Sequence, residues 1–284
     1  MTEARTYPAG VTSWTDVEVS DVEAAKEFYG GLFGWTFADA TPPGAPSRYV
    51  IARLDGEDAA GIAGPTEPGS GRTSDASWNT YVATDDARAT VGRVEAAGGR
   101  VLSPPTAAGE GGIAAVCTDV AGVEFRVWQA RRRLGAQITN APGAWNFSDL
   151  HAADPAASRA FYADVFGWEF TDLGLATMIG RPGYGDHLAS TIDPGIHDRQ
   201  AAVDAPPGFA DAIAWLAAAE AGEAPHWHVT FTVVDRDQAV AAAERLGGTV
   251  LTTSDTEWTK AATIRDPQGA AFTASQFTPP GTDS

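Results

Sequence analysis

The feature that most constrains this fold is a stretch that occurs twice. DVEAAKEFYGGLFGWTF at 21–37 returns as DPAASRAFYADVFGWEF at 154–170, 133 positions on and without a gap. Phe28, Tyr29, Phe33, Gly34 and Trp35 thereby acquire counterparts in Phe161, Tyr162, Phe166, Gly167 and Trp168. A period near half of 284 residues means two tandem copies of one domain, not a solenoid of short units. Each copy predicts a helix: Asp21 and Asp154 suit the N-cap, with Glu23 or Pro155 in the first turn. Ala24, Ala25, Phe28 and Leu32 recur at helical spacing, and Gly34 stops the helix before a strand that starts at Trp35. Aromatic residues at that spacing are expected to fill a core.

Around the repeat the chain alternates strands and one helix in a fixed rhythm. A strand over 11–19, the helix from Asp21 and strands near 35–37, 48–53 and 59–63 make one β-α-β-β-β module. A second follows as a strand over 78–83, a helix over 85–97 and strands near 100–102, 113–118 and 123–129; the third opens at Ala144 and the fourth at His226. EAAGGRVL at 95–102 is answered by ERLGGTVL at 244–251, now 149 positions on. The second half therefore holds about 16 extra residues, expected near 194–225. There GFADAIAWLAAAEAGE places Phe209, Ile213, Trp215 and Leu216 on one side of an added helix, either a lid over a pocket or a packing element. The expected boundaries are a domain over 10–130, a linker over 131–142 containing Arg131–Arg133, and a domain over 143–278.

Composition narrows the class. A hydrophobic content of 44% gives each half enough material for its own core. A net charge of −18 argues against nucleic acid or an anionic membrane surface as partner. No stretch approaches the roughly 18 apolar residues of a membrane span. A single cysteine, Cys117, and an N-terminus without an apolar run lead to the expectation of a cytoplasmic protein. No G-x-S-x-G, phosphate loop or dinucleotide fingerprint is present, and Cys117 has no histidine in its own half, which makes it a poor nucleophile.

Four β-α-β-β-β modules, with D-x-x-x-A-x-x-FY-x-x-x-FGW twice and GG followed by D-x-x-G-x-x-F late in each half, resemble the vicinal oxygen chelate superfamily of glyoxalases, bleomycin-resistance proteins and extradiol dioxygenases. More narrowly, the chain is similar to the tandem two-domain actinobacterial branch. The resemblance spans about residues 10–278 and implies an α+β fold in which paired modules form an open, curled mixed sheet around a cavity. It also implies a divalent metal in the metalloenzymes, held by His or Glu on the first and last strands. The first-strand ligand usually lies seven residues before the capping Asp, which here gives Trp14, Trp78 (counting from Asp85), Phe147 and His228. The last-strand Glu becomes Arg126 and Thr273. These are not metal ligands except for His228, so no cofactor is expected. The alternative is one divalent metal in the second domain, where all five histidines lie, displaced onto His226, His228, His151 and Asp149.

Strand alternation groups the remaining candidates. Trp14, Asp16 and Glu18 share one face, Trp78 and Thr80 another, Glu124, Arg126 and Trp128 a third, and Phe147 shares its face with Asp149. These positions describe either an aromatic-walled pocket with Arg126 as anchor, or rings that plug the space a metal would use. The expected function is binding of an aromatic or natural-product-like small molecule by a monomer or homodimer. The alternative is a lyase, isomerase or dioxygenase, using second-domain histidines and a metal or, without metal, Asp16, Glu18 or Glu124 as acid–base groups.

Overall fold

A computed structural model describes residues 4–41, 43–45, 47–67, 76–174, 176–202 and 205–278. The four modules are present. The first contains β1 (Thr12–Glu18), α1 (Val22–Phe33), β2 (Thr36–Asp39), β3 (Ser47–Leu54) and β4 (Glu57–Pro65). The second contains β5 (Ser77–Ala83), α2 (Ala87–Ala96), β6 (Arg100–Ala108), β7 (Gly112–Thr118) and β8 (Glu124–Ala130). The third runs through β9 (Trp145–Ala152), α3 (Pro155–Phe166), β10 (Glu169–Asp172), β11 (Thr177–Gly180), α4 (Tyr184–Ser190), α5 (Ile196–Ala202) and β12 (Ala212–Ala218). The fourth has β13 (His226–Thr232), α6 (Arg236–Arg245), β14 (Thr249–Asp255), β15 (Thr259–Arg265) and β16 (Ala271–Phe277). Each half supplies one open eight-stranded sheet, ordered β2-β3-β4-β1-β5-β8-β7-β6 and β10-β11-β12-β9-β13-β16-β15-β14. The sheets are mixed: β1 pairs parallel with β4 and β5 with β8, while the outer strands run antiparallel. This is the α+β architecture, with an open mixed sheet from paired modules, that the resemblance implies.

The helix ends follow local chemistry. The Asp21 carboxylate accepts from the Glu23 and Ala24 N–H groups, Asp154 does the same for Ala156 and Ala157, and Pro155 opens α3. Gly34 and Gly167 take φ of 74° and 69°, the left-handed turn that ends both helices and that a side chain would strain.

The compact units regroup the modules. One comprises Met1–Trp14, Thr80–Gly135 and Ser148–Trp227; the other comprises Thr15–Asn79, Ala136–Phe147 and His228–Ser284. In the latter, α1 buries its aromatic stripe against the fourth module: Phe28 meets Phe272 at 6.4 Å and Phe33 meets Phe231 at 4.9 Å between ring centres. Tyr29, fully buried, donates to Asp266 Oδ2 at 2.8 Å and accepts from Trp78 Nε1 at 3.1 Å. The former unit repeats this with Tyr162, which accepts from Trp227 Nε1 at 3.2 Å and lies 5.6 Å from Phe125. The twice-occurring aromatic stretch is thus core. We retain 10–130 and 143–278 as the proposed repeat domains, each supplying one sheet. Along the proposed 131–142 linker, Arg131 N donates to Gly111 O and, midway, Gln137 N donates to Asp58 O.

The 208–223 segment corrects the expectation of an added helix. Residues 209–211 form one tight turn and 212–218 are strand β12, parallel to β9 and antiparallel to β11. Ile213, Ala214 and Leu216 are all buried, so neighbouring side chains on both faces are apolar and the run carries no period of two. The helices of the insert are α4 and α5, which precede that segment.

Candidate functional site

The parity of β5 is opposite to the one read from the sequence. Asp86, not Asp85, caps α2, accepting from the Arg88 and Ala89 N–H groups. Counting seven residues back reaches Asn79, and a one-residue shift turns every side chain of a strand to the other face. Trp78 accordingly lies in the core, 4.9 Å from Phe231 and 5.3 Å from Tyr29. Thr80 is likewise turned inward and donates to Ser148 Oγ at 2.8 Å.

In the unit built on α1, the candidate group centres on Asp16. Its carboxylate is fully buried and accepts from Tyr49 Oη and Asn79 Nδ2, both at 2.9 Å. Gly61, the cross-strand neighbour of Asp16, allows this approach: a Cβ there would sit 2.3 Å from Tyr49 Oη and 2.9 Å from Asp16 Cβ. Glu18, two residues on, is exposed, and Phe147 is half-buried. His228 and Thr273, the two positions where a metal ligand would be sought, are hydrogen-bonded to each other, Nε2 to Oγ1 at 2.8 Å.

In the other unit, Arg126 is the central residue. It is 7% exposed and faces its cross-strand partner Tyr81, donating from Nη1 to the phenol oxygen at 3.1 Å. Trp128 stands edge-on to Tyr81 at 6.5 Å and is fixed by its Nε1 donating to Arg133 O. Glu124 Oε1 lies 3.6 Å from Arg126 Nη2, but its side chain is 45% exposed. Trp14 is buried in the same unit. Burial, with the Glu95 carboxylate nearby, pushes the Cys117 thiol up to about 12, which removes it as a nucleophile at neutral pH.

The displaced-metal expectation is redistributed. Among the described residues, His151 and His226 cluster not with His228 or Asp149 but with Glu223. His151 Nδ1 lies 2.7 Å from Glu223 Oε1, and the two imidazole rings are 4.8 Å apart. Asp149 sits across from Trp215 of β12. Burial raises the Glu223 carboxyl, but the Glu220 N–H and His151 outweigh it and hold the group below the usual glutamate range. A depressed folded value stabilises the protein above that range and is lost as pH falls through it. Thermal melts across acidic pH are expected to show this dependence weakened in Glu223→Gln.

Tyr81 and Asn79 were legible once the cap is placed at Asp86. Tyr49 and Glu223 were not, since one comes from a distant strand and the other from a turn with no local signal.

The donors at the family's metal positions do not fit a metal. Trp14, Phe147 and Arg126 offer no ligand atom, Asn79 is engaged with Asp16, and Thr273 with His228. Among the described residues, no helix is long and apolar enough to cross a membrane.

Comparison with known proteins agrees with this architecture. Residues 12–127 match the glyoxalase/bleomycin resistance protein/dioxygenase superfamily, and 147–275 match a glyoxalase-like domain. The chain is 32% identical over 274 residues to CFP32 of Mycobacterium tuberculosis, provisionally named a glyoxylase, covering 96% of this chain and 97% of that protein. It is 34% identical over 277 residues to the anthracycline biosynthesis protein DnrV of Streptomyces peucetius, covering 94% and 93%. The Mn(II)-bound glyoxalase from Novosphingobium aromaticivorans shares the fold, with a TM-score of 0.59 at 14% identity over 97% of this chain and 86% of that one. The chain therefore belongs to the glyoxalase/bleomycin resistance protein/dioxygenase superfamily and carries two of its domains in tandem.

Proposed function

We propose that this chain binds a planar, oxygen-bearing aromatic small molecule, using Arg126, Tyr81 and Trp128, without a metal at the family's usual positions. The observation that carries this reading is the buried Arg126 guanidinium held against the Tyr81 phenol where the family places a metal-binding carboxylate. A cation in an aromatic setting suits a phenolate, carboxylate or quinone oxygen, which would take the place of the solvent-facing Glu124. The relative named for anthracycline biosynthesis points the same way, to a polycyclic ligand. Trp14 remains a proposed wall and Asp149 a proposed contact, Phe147 belongs to the other compact unit and is not part of this site, and Trp78 and Thr80 leave the set because they face the core.

An acid–base role for Asp16 has less support. Both of its oxygens already accept hydrogen bonds and it has no exposed surface, while Glu18 and Glu124 are solvent-exposed and offer no enclosed pocket for acid–base work.

Tryptophan fluorescence titration with polyhydroxylated anthraquinones is expected to show saturable quenching. Arg126→Met should weaken it about ten- to a hundredfold, the equivalent of about 1.5–3 kcal/mol for a charge-assisted contact. Unchanged affinity in a folded Arg126→Met protein would remove the anchor.

A further inference from the structure

We propose that His151, Glu223 and His226 form a binding site for a divalent transition-metal ion of the zinc class, at positions other than those the family uses. The three come from the C-terminal end of β9, the turn between β12 and β13, and the first residue of β13, all within one compact unit. One ligand atom from each lies within 4.8 Å of the others. Donors bound at about 2.1 Å in a tetrahedral zinc site stand roughly 3.4 Å apart, so a modest rotation of one ring closes the set.

The groups around the cluster orient it. Glu223 Oε2 accepts the Glu220 N–H at 2.7 Å, which fixes the carboxylate plane and aims Oε1 at His151. His226 Nδ1 lies 2.9 Å from the Ala224 carbonyl, and as the donor there it leaves Nε2 as the ring's acceptor nitrogen. Backbone support of this kind is how ligating imidazoles are held in one tautomer. Two imidazoles and one carboxylate suit zinc or cobalt, whereas magnesium and calcium demand more oxygen. The side chains are 26%, 25% and 40% exposed, so an ion reaches them without unfolding and water completes its shell.

The test is calorimetric titration of the full chain with Zn²⁺, repeated with Co²⁺ followed by its visible absorption. One equivalent is expected to bind, with Glu223→Gln and His151→Ala each weakening it by about tenfold or more. His228→Ala, at the position the family uses, should leave it unchanged. Circular dichroism checks the fold of each variant, and Glu223→Gln, an isosteric change in a surface turn, serves should His151→Ala fail to fold. The proposal is overturned by absence of binding at micromolar Zn²⁺, by equal affinity in Glu223→Gln, or by loss of binding in His228→Ala alone.

Discussion

Replacing Trp78 by alanine is expected to destabilise the protein by about 3–5 kcal/mol, the usual cost of emptying a buried aromatic site. The indole is 6% exposed, packs 4.9 Å from Phe231 and 5.3 Å from Tyr29, and donates its N–H to the Tyr29 hydroxyl. Truncation removes ring contacts and leaves a cavity that α1, held by its caps and by Phe28 and Phe33, cannot collapse to fill. A loss of this size is a large share of the roughly 5–15 kcal/mol that holds an ordinary domain together. Urea denaturation provides the measurement, with Trp78→Phe as the milder companion that keeps most of the packing. If Trp78 were instead a wall of the ligand pocket, Trp78→Ala would keep its urea midpoint and lose affinity. That outcome would restore the parity first read from the sequence.

Tyr29→Phe should cost about 1.5–3 kcal/mol, because it deletes one hydroxyl that serves two buried partners. The phenol donates to Asp266 Oδ2 and accepts from Trp78 Nε1. Asp266 is 4% exposed, and its other oxygen is engaged with the N–H groups of Gln268 and Ala270, which shape the turn before β16. Removing the hydroxyl leaves the carboxylate with one oxygen unserved in a dry environment, a penalty that a change in packing volume cannot produce. Because the same phenol serves both neighbours, Tyr29→Phe and Trp78→Phe should be non-additive, with a coupling of at least about 0.5 kcal/mol. Tyr162→Phe is the internal replicate, since Tyr162 accepts from Trp227 in the same way and interacts with Asp119. Strict additivity of the pair would mean that the hydroxyl does not link them.

The amino-acid sequence by itself determined what is local. Asp21 and Asp154 cap their helices, Gly34 and Gly167 end them in the left-handed conformation, and the helical aromatic residues Phe28, Tyr29 and Phe33, like Phe161, Tyr162 and Phe166, are buried. These outcomes depend on contacts within a few residues, so a repeat of 17 residues suffices to specify them twice. Trp14, Arg126 and Phe147 at the family's metal positions were legible for the same reason, by counting along single strands, whereas the count on β5 landed one residue early.

Tertiary structure decided the rest. Choosing between Asp85 and Asp86 as cap requires knowing which carboxylate meets the Arg88 and Ala89 N–H groups, and that choice alone sets which face Trp78 and Asn79 occupy. The run at 212–218 became a strand because β9 and β11 offer it hydrogen-bond ladders on both sides, a partner choice that apolar composition cannot encode. Tyr49 reached Asp16 through the pairing of β3 with β4 and of β4 with β1, and Glu223 reached His151 through a turn with no periodic signal. Strand pairing and side-chain convergence join residues tens of positions apart, and their free energy comes from contacts that exist only once the chain has closed on itself.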